Sequence, residues 1–290
     1  MDFLECDVWC ICLEGCEDRY RSSMREFERV GLAGRVRYHR PRRDPRGGRV
    51  GCWLSHVACM RESLSRGKPQ KYILIFEDDV EFVDGWRDQL DTVRTFLENE
   101  PDWDIFRLGS LLYSLYEPSK SCLGAVWKAK CHATHAYFVT TDCCRRLLRD
   151  PTMVDPTLTT IAVDDYMLKS DLADYSLSTM ICYQKGDFVS DVKWDNNTLE
   201  LLGQKIVQSN KYVFEGYQRV RNNMKWYLGI LPVGVQEYIA VGGLAWILLL
   251  MLVLVVVLVI LIVRSTVPVT GPVTGPVTGP VTGPVTIPAL

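Results

Sequence analysis

The chain has 290 residues, 48% of them apolar and 23% charged, with 33 Lys and Arg against 35 Asp and Glu. A formal net charge of -2 excludes a nucleic-acid binder driven by global charge, and the ordinary composition excludes an acidic disordered tail protein. No charge lies between Ile239 and Val263 or after Arg264, so residues 1–238 hold nearly all of it, enough for one large α/β domain or two small ones.

Residues 8–13 form a short apolar run ended by Glu14 and Gly15 and predict a buried strand. Asp2, Glu5 and Asp7 precede it with no Lys or Arg, which does not fit a secretory signal. Tyr20, Met24, Phe27 and Val30 recur at three- and four-residue spacing and predict a helix over 19–30. The basic stretch 40–48 (RPRRDPRGG) reads as a loop because of its Pro and Gly. Helical spacing resumes over 54–64. Residues 72–76 are continuously apolar and β-prone, as in a strand buried on both faces, and Glu77, Asp78 and Asp79 follow at once. A helix is expected over 88–97, strands over 104–108 and 136–140, and a helix over 142–148. This alternation predicts an α/β domain around a mostly parallel sheet.

Residues 199–238 mix polar and aromatic side chains and are expected to be helical and juxtamembrane. The uncharged stretch 239–263 (IAVGGLAWILLLMLVLVVVLVILIV) is longer than a helix needs to cross a hydrocarbon core of about 30 Å, so a transmembrane helix is expected there. With no signal ahead of it, this reads as a single-pass C-terminal anchor. Arg219, Arg221 and Lys225 before it, against Arg264 after it, favour a cytosolic domain. The tail, 264–290, repeats PVTG four times and then reads PVTI, with Gly at a period of four rather than the three of collagen.

All 11 Cys lie between Cys6 and Cys182, and an odd number cannot all pair within one chain. The spacing of Cys6, Cys10, Cys12 and Cys16 lacks the paired CxxC pattern of a zinc site, so buried free thiols are expected. The sequon Asn196-Asn197-Thr198 would be glycosylated only on a lumenal domain.

Carboxylates directly after a buried strand have a known use, because the carboxyl ends of strands in open α/β folds face the ligand crevice. If strand geometry continues, Glu77 and Asp79 point to the same side. Such a pair can share a hard divalent cation, and the cation can hold the phosphates of a nucleotide diphosphate. The same triplet also fits a solvated acidic turn leading into a helix.

The wider pattern resembles glycosyltransferase family 25, which includes bacterial lipooligosaccharide galactosyltransferases and procollagen galactosyltransferases. The likeness runs through Ile11-x-Leu13 with Asp18-Arg19, then Gly51-Cys52-Trp53-Leu54-Ser55-His56, then Ile73 to Val80 with its Glu-Asp-Asp. It continues in Asp104 to Gly109, Thr134-His135-Ala136-Tyr137, Val163-Asp164-Asp165-Tyr166, and Gln184 with Ser190-Asp191. These blocks cover roughly residues 8–195 in the family's order. Two departures stand out: Ala133 occupies a position where the family usually has Gly, and Cys12 and Cys16 replace residues that are commonly Asn or basic.

The resemblance implies a GT-A-like catalytic domain over 1–198, a UDP-sugar donor and inversion at the anomeric carbon. It implies transfer of galactose or glucose to a hydroxyl on a glycan, a lipid-linked glycan or a hydroxylysine-type protein acceptor. Glu77, Asp78 and Asp79 become the candidate ligands for manganese or magnesium. Asp164 and Asp165 become the candidate bases, each raising the other's pKa by repulsion, with a helix cap as the competing role. Arg19, Ser55, His56, Thr134 and His135 become candidates for the donor pocket, although Arg19 also suits a surface pair with Glu17 or Asp18, and His135 suits a core. No Gly-x-Ser-x-Gly elbow supports a hydrolase. A reading of a different class is a membrane-anchored scaffold on a degenerate transferase domain.

Overall fold

Val8 to Ile11 are buried on both faces and form strand β1 (Val8–Ile11), within the stretch expected to be a strand. Helix α1 (Glu17–Arg29) follows, with Glu17 and Asp18 in its first turn and Arg29 in its last, charges that suit the helix dipole. Strand β2 (Val36–His39) comes next and was not anticipated, because Arg37 and His39 break the apolar run of a half-buried edge strand. Helix α2 (Gly48–Ser65) starts earlier than 54. Val50 is buried there and Arg49 Nη1 donates to the Ile161 carbonyl at 3.0 Å, so tertiary contacts override the low helix propensity of Gly48 and Gly51.

The remaining elements are β3 (Tyr72–Glu77), β4 (Val80–Phe82), a 3-10 turn (Trp86–Gln89), α3 (Leu90–Asn99), β5 (Ile105–Pro118) and β6 (Val126–Thr140). After them come α4 (Thr141–Leu147), α5 (Pro151–Val154), a second 3-10 turn (Pro156–Leu158), α6 (Val163–Lys169), β7 (Asp174–Leu177) and β8 (Cys182–Gln184). β5 and β6 form a hairpin far longer than the expected strands at 104–108 and 136–140. Its outer half carries Ser110, Ser114, Lys128, Lys130 and His132, which end the apolar signal while backbone pairing continues through register shifts.

The computed structural model describes residues 5–67, 70–186 and Gly216. Among the described residues no helix is long and apolar enough to cross a membrane. The expected transmembrane helix at 239–263, the PVTG tail, the sequon, Ser190 and Asp191 lie outside the described residues, as does the juxtamembrane stretch apart from Gly216.

The central sheet has the order β2-β1-β3-β6-β5-β7. Strands β2, β1, β3, β5 and β7 point one way and β6 runs against β3, β5 and β7, so the sheet is mixed but mostly parallel in direction. The chain goes from β1 outward to β2 and then back across β1 to β3. Right-handed crossovers in opposite directions put α1 and α2 on opposite faces of the sheet. The core follows this division. Val8, Cys10, Leu74, Phe76, Phe106 and Phe138 pack with Phe27 of α1 and Phe96 of α3. Trp9, Ile11, Ile73, Ile75, Tyr137 and Val139 pack with α2, α4 and α6. Ile11 and Glu77 are register partners, so the carboxyl ends of β1 and β3 meet at the point where the strand order reverses.

All 11 cysteines are free thiols, as expected; Cys6, Cys16 and Cys52 are partly exposed and the others buried.

Candidate active site

Glu77 is the last residue of β3, and Asp78 and Asp79 turn the chain directly into β4. The alternation expected to align Glu77 with Asp79 therefore stops at Glu77, and a turn sets the relation between them. β8 pins this turn. It pairs with β4, the Lys185 amide donates to the Asp79 carbonyl at 2.7 Å, and Gln184 Nε2 lies 3.4 Å from Asp79 Oδ2.

Arg19, on α1, belongs to this corner. Its Nε donates to Asp78 Oδ1 at 2.8 Å, its Nη2 bonds the same oxygen, and Nη2 lies 3.8 Å from Asp79 Oδ2. Glu17 and Asp18, the alternative partners read from the sequence, pair instead with Arg40 and Arg21. Asp78 is thus occupied by Arg19, whereas Asp79 Oδ1 is buried without any hydrogen-bond partner. Burial, reinforced by Glu77 and Asp78, pushes the Asp79 carboxyl far above the usual carboxylate range, against the pull of Arg19. Glu77 goes the other way: burial raises it, but His56, Thr134 and His135 outweigh burial and hold it below the ordinary value. The pair thereby keeps one negative charge in a place built for two.

Glu77 is held from the sheet and from α2. Thr134 Oγ1 donates to Glu77 Oε1 at 2.6 Å, and His56 Nε2 lies 3.5 Å from the same oxygen. His56 is fully buried, and its Nδ1 meets the Tyr137 hydroxyl at 2.9 Å. Cys52 sits one turn earlier on α2, and its sulfur, a Glu77 oxygen and a His56 nitrogen all lie within 4.8 Å of one another. Burial first, then the charges of Glu77, Asp164, Asp79 and Asp78, push the Cys52 thiol well up, which brings Asp164 electrostatically into the same neighbourhood.

Two of the candidates face elsewhere. Ser55 is buried and donates to the Gly51 carbonyl at 2.7 Å, a bond within its own helix. His135 is also completely buried, beside Gly109 and Cys182, and neither ring nitrogen makes a hydrogen bond, although the Cys182 carbonyl is close by. Burial pushes its pKa down to about 4, so it is a neutral core imidazole that offers no surface to a ligand.

Ala133, just before Thr134, has φ 67, in the left-handed region where glycine is favoured. Its amide donates to Asp164 Oδ2 at 3.0 Å, and its carbonyl accepts from Arg107 Nη1 at 2.5 Å. Arg107 is itself fixed by a buried ion pair with Asp174, 2.8 Å from Nη2 to Oδ2. The second oxygen of Asp164 accepts the Asp165 amide at 3.0 Å. Asp164 therefore anchors α6 to β6, and the N-cap position belongs to Ala162, which makes no side-chain cap.

Asp165 is different. Its Oδ1 lies 3.2 Å from His132 Nδ1, and both side chains remain about a quarter exposed, 24% and 27%. Mutual repulsion does not raise Asp165. Burial pulls it up, but His132 and Lys169 prevail and hold it below the ordinary value. The structure thus brings Arg19, Glu77, Asp78, Asp79, Thr134 and His56 into one corner, with Asp164 near it and Asp165 paired to His132. His132, Cys52 and Tyr137 were missed as site residues. A lone His on a polar stretch of strand carries no signal, and Cys52 and Tyr137 stood in the resembling blocks without a role of their own.

The family model described as "Glycosyltransferase family 25 (LPS biosynthesis protein)" matches residues 36–167. Over 63 residues, 21% of this chain, the sequence is 40% identical to "Inactive glycosyltransferase 25 family member 3" of Homo sapiens and 38% identical to "Probable inactive glycosyltransferase 25 family member 3" of Bos taurus. The match spans 10% of the length of each of these relatives. Among solved structures, a glycosyltransferase involved in glycosylation of the major capsid of PBCV-1 aligns over 57% of this chain and 75% of its own, with 11% identity and a TM-score of 0.35. A mannose-1-phosphate geranyltransferase from Thermus thermophilus aligns over 60% and 74%, with 11% identity and a TM-score of 0.39.

Proposed function

We propose that the domain, which matches the glycosyltransferase family 25 model over residues 36–167, is a metal-dependent, inverting hexosyltransferase of GT-A-like build that moves galactose or glucose from a UDP-sugar to a hydroxyl. The observation that carries this reading is the buried, unpartnered Asp79 Oδ1 beside Glu77, at the carboxyl end of β3 where the sheet order reverses.

That orphaned oxygen fits a cation, and Asp79 and Glu77 would hold manganese or magnesium, which supplies charge neutralisation at the leaving diphosphate. Arg19 holds Asp78 in place without filling the open oxygen of Asp79. Thr134 and His56 fix Glu77 from opposite elements. Asp164 spends both oxygens on backbone amides and positions α6. The base is therefore Asp165 with His132, the exposed pair. In the transfer the acceptor oxygen bonds the anomeric carbon as the bond from that carbon to the phosphate oxygen breaks. The acceptor proton passes to the Asp165–His132 pair, and UDP leaves.

The acceptor belongs to the class of glycans, lipid-linked glycans or hydroxylysine-type side chains, and a membrane anchor at 239–263 with the domain in the cytosol suits a lipid-linked one. Incubating the full chain with UDP-galactose or UDP-glucose, manganese and a competent acceptor should release UDP. Asp79→Ala should lower that release by about a hundredfold or more, since a metal contributes several kcal/mol to such a step. Equal release by both proteins would sink the reading.

The second reading, a non-catalytic scaffold on a degenerate domain, is favoured by the inactive designation of the relatives matched over 63 residues. It requires that no manganese-dependent UDP binding be found.

A further inference from the structure

Three potential metal ligands converge beside the acidic corner, on the side where Asp79 does not take part. Cys52 and His56 are four residues apart on α2, so both face the end of β3, and Glu77 meets them there with all three ligand atoms within 4.8 Å of one another. The second ring nitrogen of His56 is already taken by the Tyr137 hydroxyl at 2.9 Å, the outer hydrogen bond that metal-bound imidazoles usually carry. Nε2 is then the free nitrogen. It is buried, has no hydrogen-bond partner, and faces Glu77 Oε1 at 3.5 Å.

That distance is informative. A charged hydrogen bond between these atoms would close to about 2.8 Å. Two ligands at about 2.05 Å around one tetrahedral ion stand about 3.3 Å apart. The imidazole and the carboxylate are therefore spaced as co-ligands. A thiolate as the third ligand selects a borderline-soft ion over the hard ions suited to carboxylates alone.

We propose that Cys52, His56 and Glu77 form a binding site for a zinc-class divalent cation, which shares Glu77 with the hard-cation corner at Asp79 but differs from it in its thiolate and imidazole ligands. Its occupation fixes α2 against the end of β3 and so sets the position of Glu77. The inference stands apart from the transferase reading, because its test does not measure transfer.

Cobalt(II) titrated into the full chain reports the site directly. The expected result is one thiolate-bound cobalt per chain, marked by a near-ultraviolet sulfur-to-cobalt charge-transfer band that stoichiometric zinc removes and excess magnesium does not. Cys52→Ser should lose the band, and Cys16→Ser, outside the cluster, should keep it. Tyr137→Phe, a smaller perturbation of folding, should keep the band while weakening cobalt binding by about 10–100-fold. A wild-type titration without the sulfur band, a band that survives Cys52→Ser in a folded protein, or unchanged affinity in Tyr137→Phe would each overturn the proposal.

Discussion

At Asp79 one carboxyl oxygen is buried and unpartnered beside Glu77 and Asp78, and such a group holds its proton until a cation replaces it. The sign of the stability effect follows. Above the ordinary value of 3.8 the unfolded chain has released this proton while the folded chain keeps it, so metal-free stability falls as pH rises toward the elevated folded value. Melting curves from mildly acid to mildly alkaline pH should show this slope in the wild type. Asp79→Asn should flatten it, as should manganese. Ala133 is a second residue with a local conflict, since its left-handed φ of 67 suits glycine, the residue usual in the family at this position. Relief of side-chain strain there outweighs the entropy that glycine loses on folding, so Ala133→Gly should stabilise the protein by about 0.5–1 kcal/mol in denaturant unfolding.

At the scale of elements, the long β5–β6 hairpin and the small β4–β8 sheet are what place the site, and both were largely illegible. β1, β3 and α1 announce themselves because an apolar run or stripe is long and clean. The outer half of β6 does not, because Lys128, Lys130 and His132 leave no run to read, and β8 is three residues long. Gly109 marks where these elements close on one another. A Cβ at that position would lie 2.3 Å from His135 Nε2 and 2.4 Å from the Cys182 carbonyl oxygen, one of them rigid backbone. Gly109→Ala should therefore destabilise by about 1–3 kcal/mol or more and push β8 off the hairpin, loosening the Asp79 turn that β8 pins. Thermal unfolding together with amide exchange at residues 182–185 checks both parts.

For the molecule as a whole, the acidic triplet was legible because it follows the most apolar strand, and its neighbourhood was legible as an ordered set of blocks. The division of labour within those blocks was not. That Asp78 is bound by Arg19 while Asp79 stays open, that Asp164 anchors backbone while Asp165 pairs with His132, and that Ser55 turns into its own helix are all consequences of packing between distant segments. The account rests on one physical statement: the turn after β3 holds a divalent ion, and UDP binds through it. Calorimetric titration of UDP into the full chain tests this most directly, with and without manganese and in Asp79→Asn beside Asp18→Asn, a surface control paired with Arg21. The account predicts binding only with manganese, lost in Asp79→Asn and kept in Asp18→Asn; UDP binding that ignores both the metal and Asp79 would contradict it.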